Sequence, residues 1–126
     1  MRVPFVESVG IVEGKLSKRE EIENHLGSIH AGALFTFAEN ASGEYLKSQF
    51  PNLKDKVIPL LRESSIKYKK QALSTLRSEV SIDDIEKFKT MFDKKGRSSV
   101  VVDVKVFDEE GELVCEGWFK WFVSKR

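Results

Sequence analysis

Asn24, Gly27, His30, Gly32 and Glu39 fall within one short stretch of the chain, and their types suit work on a carbonyl group. Leu34, Phe37, Ala38, Ala41 and Tyr45 recur at i, i+3, i+4, i+7 and i+11. That spacing predicts a helix from Gly32 to about Gln49, ended by Pro51. His30-Ala31-Gly32 then forms the helix start. The first backbone N–H groups there lack helical partners, and with the helix dipole they make a place for a carbonyl oxygen or a developing oxyanion. Gly27 and Gly32 let backbone approach a ligand closely. Glu39 lies about 140° from Leu34 on a helical wheel, off the main apolar face. Its neighbours at i−4, i+3 and i+7 are Phe35, Ser42 and Leu46. A carboxylate in so apolar a stripe suits a pocket or a subunit contact, where partial burial raises its pKa and makes it a better base. Each residue taken singly has a plainer reading: a solvated or lysine-paired glutamate, a glycine-bearing turn, a structural histidine, a loop asparagine.

The combination carries more than its parts. The pattern N-x-x-G-x-x-H-x-G-x-x-x-x-x-x-E, followed by strands and an apolar hairpin, resembles the hotdog-fold acyl-CoA thioesterases. More narrowly it is similar to the phenylacetyl-CoA and hydroxybenzoyl-CoA thioesterase group, whose pattern is Asn, Gly, His-Gly-Gly and then an Asp or Glu nine residues after the His. With the element order, the resemblance spans Val9 to Val123. It implies an α+β hotdog fold, an antiparallel sheet wrapped around one long central helix. It also implies a homodimer with sheets side by side, or a tetramer of two such dimers, and an active site between subunits. The implied reaction is hydrolysis of an acyl-CoA thioester. The carbonyl would bind the N–H of Ala31, with that of Gly32. Glu39 of the other chain would act as general base or as nucleophile, Asn24 would hold the water or the carboxylate, and His30 would orient the carbonyl.

Two departures stand out. His-Gly-Gly reads His30-Ala31-Gly32, which keeps the N–H but adds a Cβ. The strand motif reads Tyr68-Lys69-Lys70-Gln71-Ala72, without the family's proline. Ser64 and Ser65 are the candidates for the family's serine or threonine. Arg97 foremost, then Lys69 and Lys70, would meet the phosphates of coenzyme A, among Lys67, Lys94 and Lys95; solvated lysines are the plainer reading. Coenzyme A enters as part of the substrate, and no separate cofactor or metal is implied. The alternative, motivated by Ala31, is a non-catalytic acyl-CoA or lipid-binding module of the same fold. A hydratase or dehydratase on this fold would need a different histidine–acid motif, and a structural or interaction protein is the remaining class.

The elements that must position these residues read as follows. Val9–Leu16 reads as a strand. Ser17–Glu23 reads as a loop or short turn. Strands are expected at Ile58–Tyr68, Leu76–Ile82, Ser99–Phe107 and Leu113–Val123. Val100, Val102, Val104 and Val106 share one face. Leu113, Cys115, Phe119, Trp121 and Val123 share another, opposite Val114, Trp118 and Phe122. Ile85, Phe88 and Phe92 have helical spacing behind Asp83 or Asp84 as the cap, and would pack on the sheet edge or cover a ligand tunnel.

Composition agrees with this frame. The 126 residues read as one domain, residues 1–126, able to bury a core without disulfide or metal. With 33% charged residues and no apolar run near ~20 residues, a membrane span is not expected. Lys+Arg (21) and Asp+Glu (20) leave a net charge of +1, which gives no reason to expect nucleic-acid binding. Cys115 alone makes neither a disulfide nor a cysteine-rich zinc site. His25 and His30 could hold a metal only with carboxylate help. The N-terminal residues do not read as a secretory signal, and the whole fits a reducing, cytoplasmic setting.

Overall fold

A computed structural model describes residues 2–51 and 56–126. The central element is helix α2, Ala31–Ser48. It follows helix α1 (Pro4–Val9), a small hairpin of β1 (Ile11–Val12) and β2 (Lys15–Leu16), and a 3-10 turn at Glu20–Ile22. After it come β3 (Val57–Tyr68), β4 (Arg77–Ile82), helix α3 (Ile85–Lys95), β5 (Arg97–Phe107) and β6 (Leu113–Lys125). The four long strands form one antiparallel sheet in the order β3-β6-β5-β4. Beyond β4, a bridge from Leu76 to Leu16 joins the small hairpin to that edge. Sheet and central helix together are the hotdog fold.

The period-2 pattern of β5 is realised rung by rung. Val100, Val102, Val104 and Val106 are buried against α2, while Val101, Asp103 and Lys105 face outward. On β6, Cys115, Phe119, Trp121 and Val123 line the same inner layer. Trp118 and Phe122, on the outer face, are only half-buried within the chain. The helix turns a slightly different face inward from the one its apolar spacing predicts. Leu34, Phe37, Ala38, Ser42, Gly43 and Leu46 are buried, whereas Tyr45 is exposed and Ala41 half-buried. Small residues at 42 and 43 let the helix approach the sheet closely, and that contact sets its rotation.

The expected strand over Val9–Leu16 is not one strand. Pro4 opens a helix at its first turn, where its missing N–H costs nothing. Gly10 closes that helix in the left-handed region (φ 93°), its N–H donating to Val6 and Glu7 carbonyls. Glu13 and Gly14, both at positive φ, then make a tight two-residue hairpin turn. Helix α3 is capped by Asp84, whose side chain accepts from the Lys87 N–H at 3.1 Å. Its Phe88 and Phe92 stack with Phe50, centroids 5.6 and 5.3 Å from the Phe50 ring. That aromatic cluster seals the C-terminal end of α2 against β5, so these residues are core.

At Gly117 on β6 the backbone of β3 leaves no room for a side chain. A Cβ there would lie 2.3 Å from the Ser65 carbonyl oxygen and 3.0 Å from the Ile66 Cα. Both obstacles are backbone and cannot swing aside. Gly117→Ala is expected to cost about 1–3 kcal/mol or more, as overpacking does. Denaturant titration against wild type measures it, and a loss within experimental scatter would mean the strands part more easily than this geometry allows.

Candidate active site

The start of α2 is built by its own approach loop. The Asn24 backbone N–H donates to Ser28 O at 2.8 Å, and the Gly27 N–H returns to Asn24 O at 3.2 Å. The Asn24 side-chain oxygen accepts from the N–H groups of Leu26 (2.9 Å) and Ser28 (3.2 Å). Its amide nitrogen donates to Ser28 Oγ at 2.9 Å. In this chain, then, Asn24 shapes the turn that delivers the helix start. His25 is exposed at the tip of that turn.

His30 is the residue before the first helical turn, and its Nδ1 accepts from the Gly32 N–H at 2.8 Å. The N–H groups of Ala33 and Leu34 reach the His30 carbonyl at 2.9 and 3.0 Å. Among the described residues the Ala31 N–H meets no acceptor. One free donor therefore remains at an exposed helix start, at the positive end of the helix dipole. The Tyr68 hydroxyl donates to the Ala31 carbonyl at 3.4 Å and ties the end of β3 to the same spot. Partial burial, then the proximity of Cys115, raises the Tyr68 phenol above its ordinary pKa.

Glu39 lies eight residues further along α2, about 12 Å from Ala31 at ~1.5 Å rise per residue. It is half-buried, and burial raises its carboxyl above the ordinary value of 4.5. It has no hydrogen-bond or ion-pair partner among the described residues. Its position is fixed from behind: the Ser42 hydroxyl donates to the Glu39 carbonyl at 2.7 Å, and Trp121 Nε1 donates to Ser42 Oγ at 2.8 Å. Sequence reasoning placed Ser42 beside Glu39 but did not link it to Trp121. Nothing in the spacing signals that pairing, because the residues meet only when β6 packs under α2. Glu39 borders a cavity between α1, α2 and the start of β3 at Val57–Pro59.

The basic candidates separate. Lys70 Nζ contacts Asp108 Oδ2 at 3.0 Å and the Glu112 carboxylate, which hold its pKa above the ordinary lysine value. Asp108 Oδ1 also accepts from the N–H groups of Glu110 and Glu112, each at 3.0 Å. The acidic trio Asp108, Glu110 and Glu112 thus serves the β5–β6 turn, with Lys70 as its counter-ion. Lys69 is exposed just after β3, near the start of α2. Arg97 is exposed at the first residue of β5, paired with Ser124. That is the opposite end of the sheet, roughly 30 Å from the Tyr68–Cys115 rung at ~3.3 Å per residue. Ser64 sits beside Phe119 on the inner face, and Ser65 beside Trp118 on the outer. No described helix is long and apolar enough to cross a membrane.

The sequence matches the family DUF4442, described as a domain of unknown function, over residues 3–123, and the chain belongs to that family. Within the wider set of folds it takes its place in the hotdog-fold thioesterase superfamily. PA5026 from Pseudomonas aeruginosa, a protein of unknown function described as a probable thioesterase, is 24% identical; the match covers 98% of this chain and 89% of that one, with a TM-score of 0.76. BH2602 from Bacillus halodurans, solved with CoA, is 27% identical over 86% of this chain and 64% of that one, with a TM-score of 0.70. The E. coli PaaI protein of the phenylacetic acid degradation operon is 16% identical over 99% of this chain and 86% of that one, with a TM-score of 0.73. No curated protein matches the sequence.

Proposed function

We propose that the protein hydrolyses acyl-CoA thioesters at a site made by two copies of the chain. One observation carries this reading: the residues bearing the free Ala31 N–H and the unpaired Glu39 carboxylate are eight apart on one helix, about 12 Å of axial rise, a poor fit for two groups that must share a carbonyl. A second copy closes that gap. Among the described residues, strand β3 is a twelve-residue edge with one side unpaired. A long open edge invites a further strand. Antiparallel pairing about the Arg62–Glu63 step sets Arg62 opposite the partner's Glu63. It also lays the Tyr68 end of one chain against Val57–Pro59 of the other. The partner's Ala31, tied to that Tyr68 end, then comes to the cavity Glu39 borders. The same pairing puts Arg97 and the partner's Lys69 at one end of the joined sheets, where they suit coenzyme A phosphates. The CoA present with BH2602 supports the choice of ligand class.

The chemistry follows from these groups. The thioester oxygen accepts from the Ala31 N–H, which strengthens as negative charge develops on it. As general base, Glu39 takes a proton from water while the water oxygen bonds to the carbonyl carbon. The tetrahedral species then expels the coenzyme A thiolate, and that proton passes to the sulfur. As nucleophile, the carboxylate itself bonds to the carbonyl carbon, releases the thiolate and leaves a mixed anhydride that water cleaves. A carboxylate with a raised pKa suits either role. His30, by engaging Gly32, leaves one backbone donor where two were expected. That favours a second reading, a non-catalytic acyl-CoA or lipid-binding module in the same cytoplasmic setting.

A thiol-release assay with acyl-CoAs from acetyl to palmitoyl, including phenylacetyl and benzoyl, decides between them, with sedimentation to give the assembly. Turnover by a dimer or a tetramer of dimers is the expected result. A dimer that CoA stabilises against heat without any turnover would move the assignment to the binding module. A monomer that turns substrate over would remove the two-chain site.

A further inference from the structure

The cavity beside Glu39 has a volume of about 290 Å³, at the lower end of the ~300–1,000 Å³ range of ligand pockets. It runs along α2 from Glu39 to Lys47, about 12 Å at ~1.5 Å per residue. Its walls are mostly apolar: Val3 before α1, Val6 of α1, Val57 and Pro59 of β3, and Trp121 of β6, with Asn40 and Arg126 as polar members of the lining. Gly43 lies on the helix side and is buried. A Cβ at that position would meet Trp121 at Cζ2 (3.2 Å) and Cη2 (3.3 Å). The indole cannot retreat without giving up its hydrogen bond to Ser42. The missing side chain at position 43 therefore keeps the cavity open over the indole. At the far end Lys47 is already paired with Glu44 at 2.9 Å, so it offers no free charge to a ligand.

Resting on the thioesterase reading, we propose that this cavity holds the acyl group, that Gly43 and Val6 set its capacity, and that the group is aliphatic or singly aromatic. Its size is about six to ten carbons, since some ten groups the size of a water, ~30 Å³ each, fill the volume. Helix α1 and the Val3 that precedes it are the roof, and without Val3 and Val6 the acyl chain would lie against solvent.

The probes are S-methyl-CoA and S-octyl-CoA, thioethers that bind without being hydrolysed, measured by calorimetry on the intact protein. Each methylene that enters an apolar site strengthens binding about fourfold. The octyl compound is expected to bind at least about 100-fold tighter than the methyl one. Gly43→Val and Val6→Trp fill the cavity from opposite sides, and each should cut that ratio about tenfold or more. Val6→Trp leaves the Gly43–Trp121 contact untouched, so it decides the matter if Gly43→Val fails to fold. An undiminished ratio in Val6→Trp, or no octyl gain in the wild type, overturns the assignment. A wild type that turns over acyl-CoAs but shows no octyl gain removes the cavity's role and spares the thioesterase reading. A wild type with the gain and no turnover does the reverse.

Discussion

Glu39→Gln is expected to lower kcat for acyl-CoA hydrolysis by about 10²–10⁴-fold, the range a positioned base contributes. The amide keeps the size of the side chain and its place beside the cavity, but it can neither take a proton from water nor attack the carbonyl. Stability should move the other way. Burial raises the Glu39 pKa above 4.5, so the folded protein binds this proton more tightly than the unfolded chain. Stability then falls as pH rises from about the unfolded value through the raised folded value. A glutamine carries no such cost. The variant should therefore melt higher than wild type at neutral pH, and the difference should vanish below the ordinary carboxylate range. In wild type, kcat/KM should fall on the acid side at a pH above that range. Paired thermal melts and a pH–rate profile measure both. A variant that keeps wild-type turnover would remove Glu39 from the chemistry, whatever its melting temperature does.

Ala31→Pro tests the other half of the site with little disturbance to the fold. Ala31 is the first helical residue, the position where proline is best tolerated. The preceding His30 sits at φ −61° and ψ 142°, a conformation a residue before proline readily adopts. The substitution thus deletes one N–H and little else. Turnover should drop by about 10²–10³-fold, the loss typical of an oxyanion donor. The two variants together give a sharper result. Unfolded together and refolded in equal amounts, Glu39→Gln and Ala31→Pro chains form mixed dimers in half of all cases. Each mixed dimer has one of its two sites intact, so roughly a quarter of wild-type activity should return. If each site used one chain only, no mixing would restore any.

Much of this arrangement was legible in the residues themselves. The helix from Ala31 announced itself by apolar spacing, and β5 by strict alternation of valines, because burial on one face forces those periods. The Pro4–Val9 helix was missed although its signals, Pro4 and Gly10, were present. The apolar residues around Val9 and Ile11 outweighed them in a segment too short for periodicity to arbitrate. Lys70 could not be separated by sequence from Lys69, since its partners Asp108 and Glu112 arrive from a hairpin some forty residues away.

From the residues alone came the order of elements from the central helix onward, the character of that helix, and the motif that puts a free N–H at its start and a carboxylate in an apolar stripe. These depend on local conformation and on spacing along one element. The tertiary structure alone decided what surrounds that carboxylate. It brought Trp121 beneath Ser42, set Gly43 over the indole, laid α1 across the cavity, and left β3 as an open edge. Those contacts join segments distant in the chain. Their partners are selected by close packing of the sheet against the helix, which no local pattern encodes.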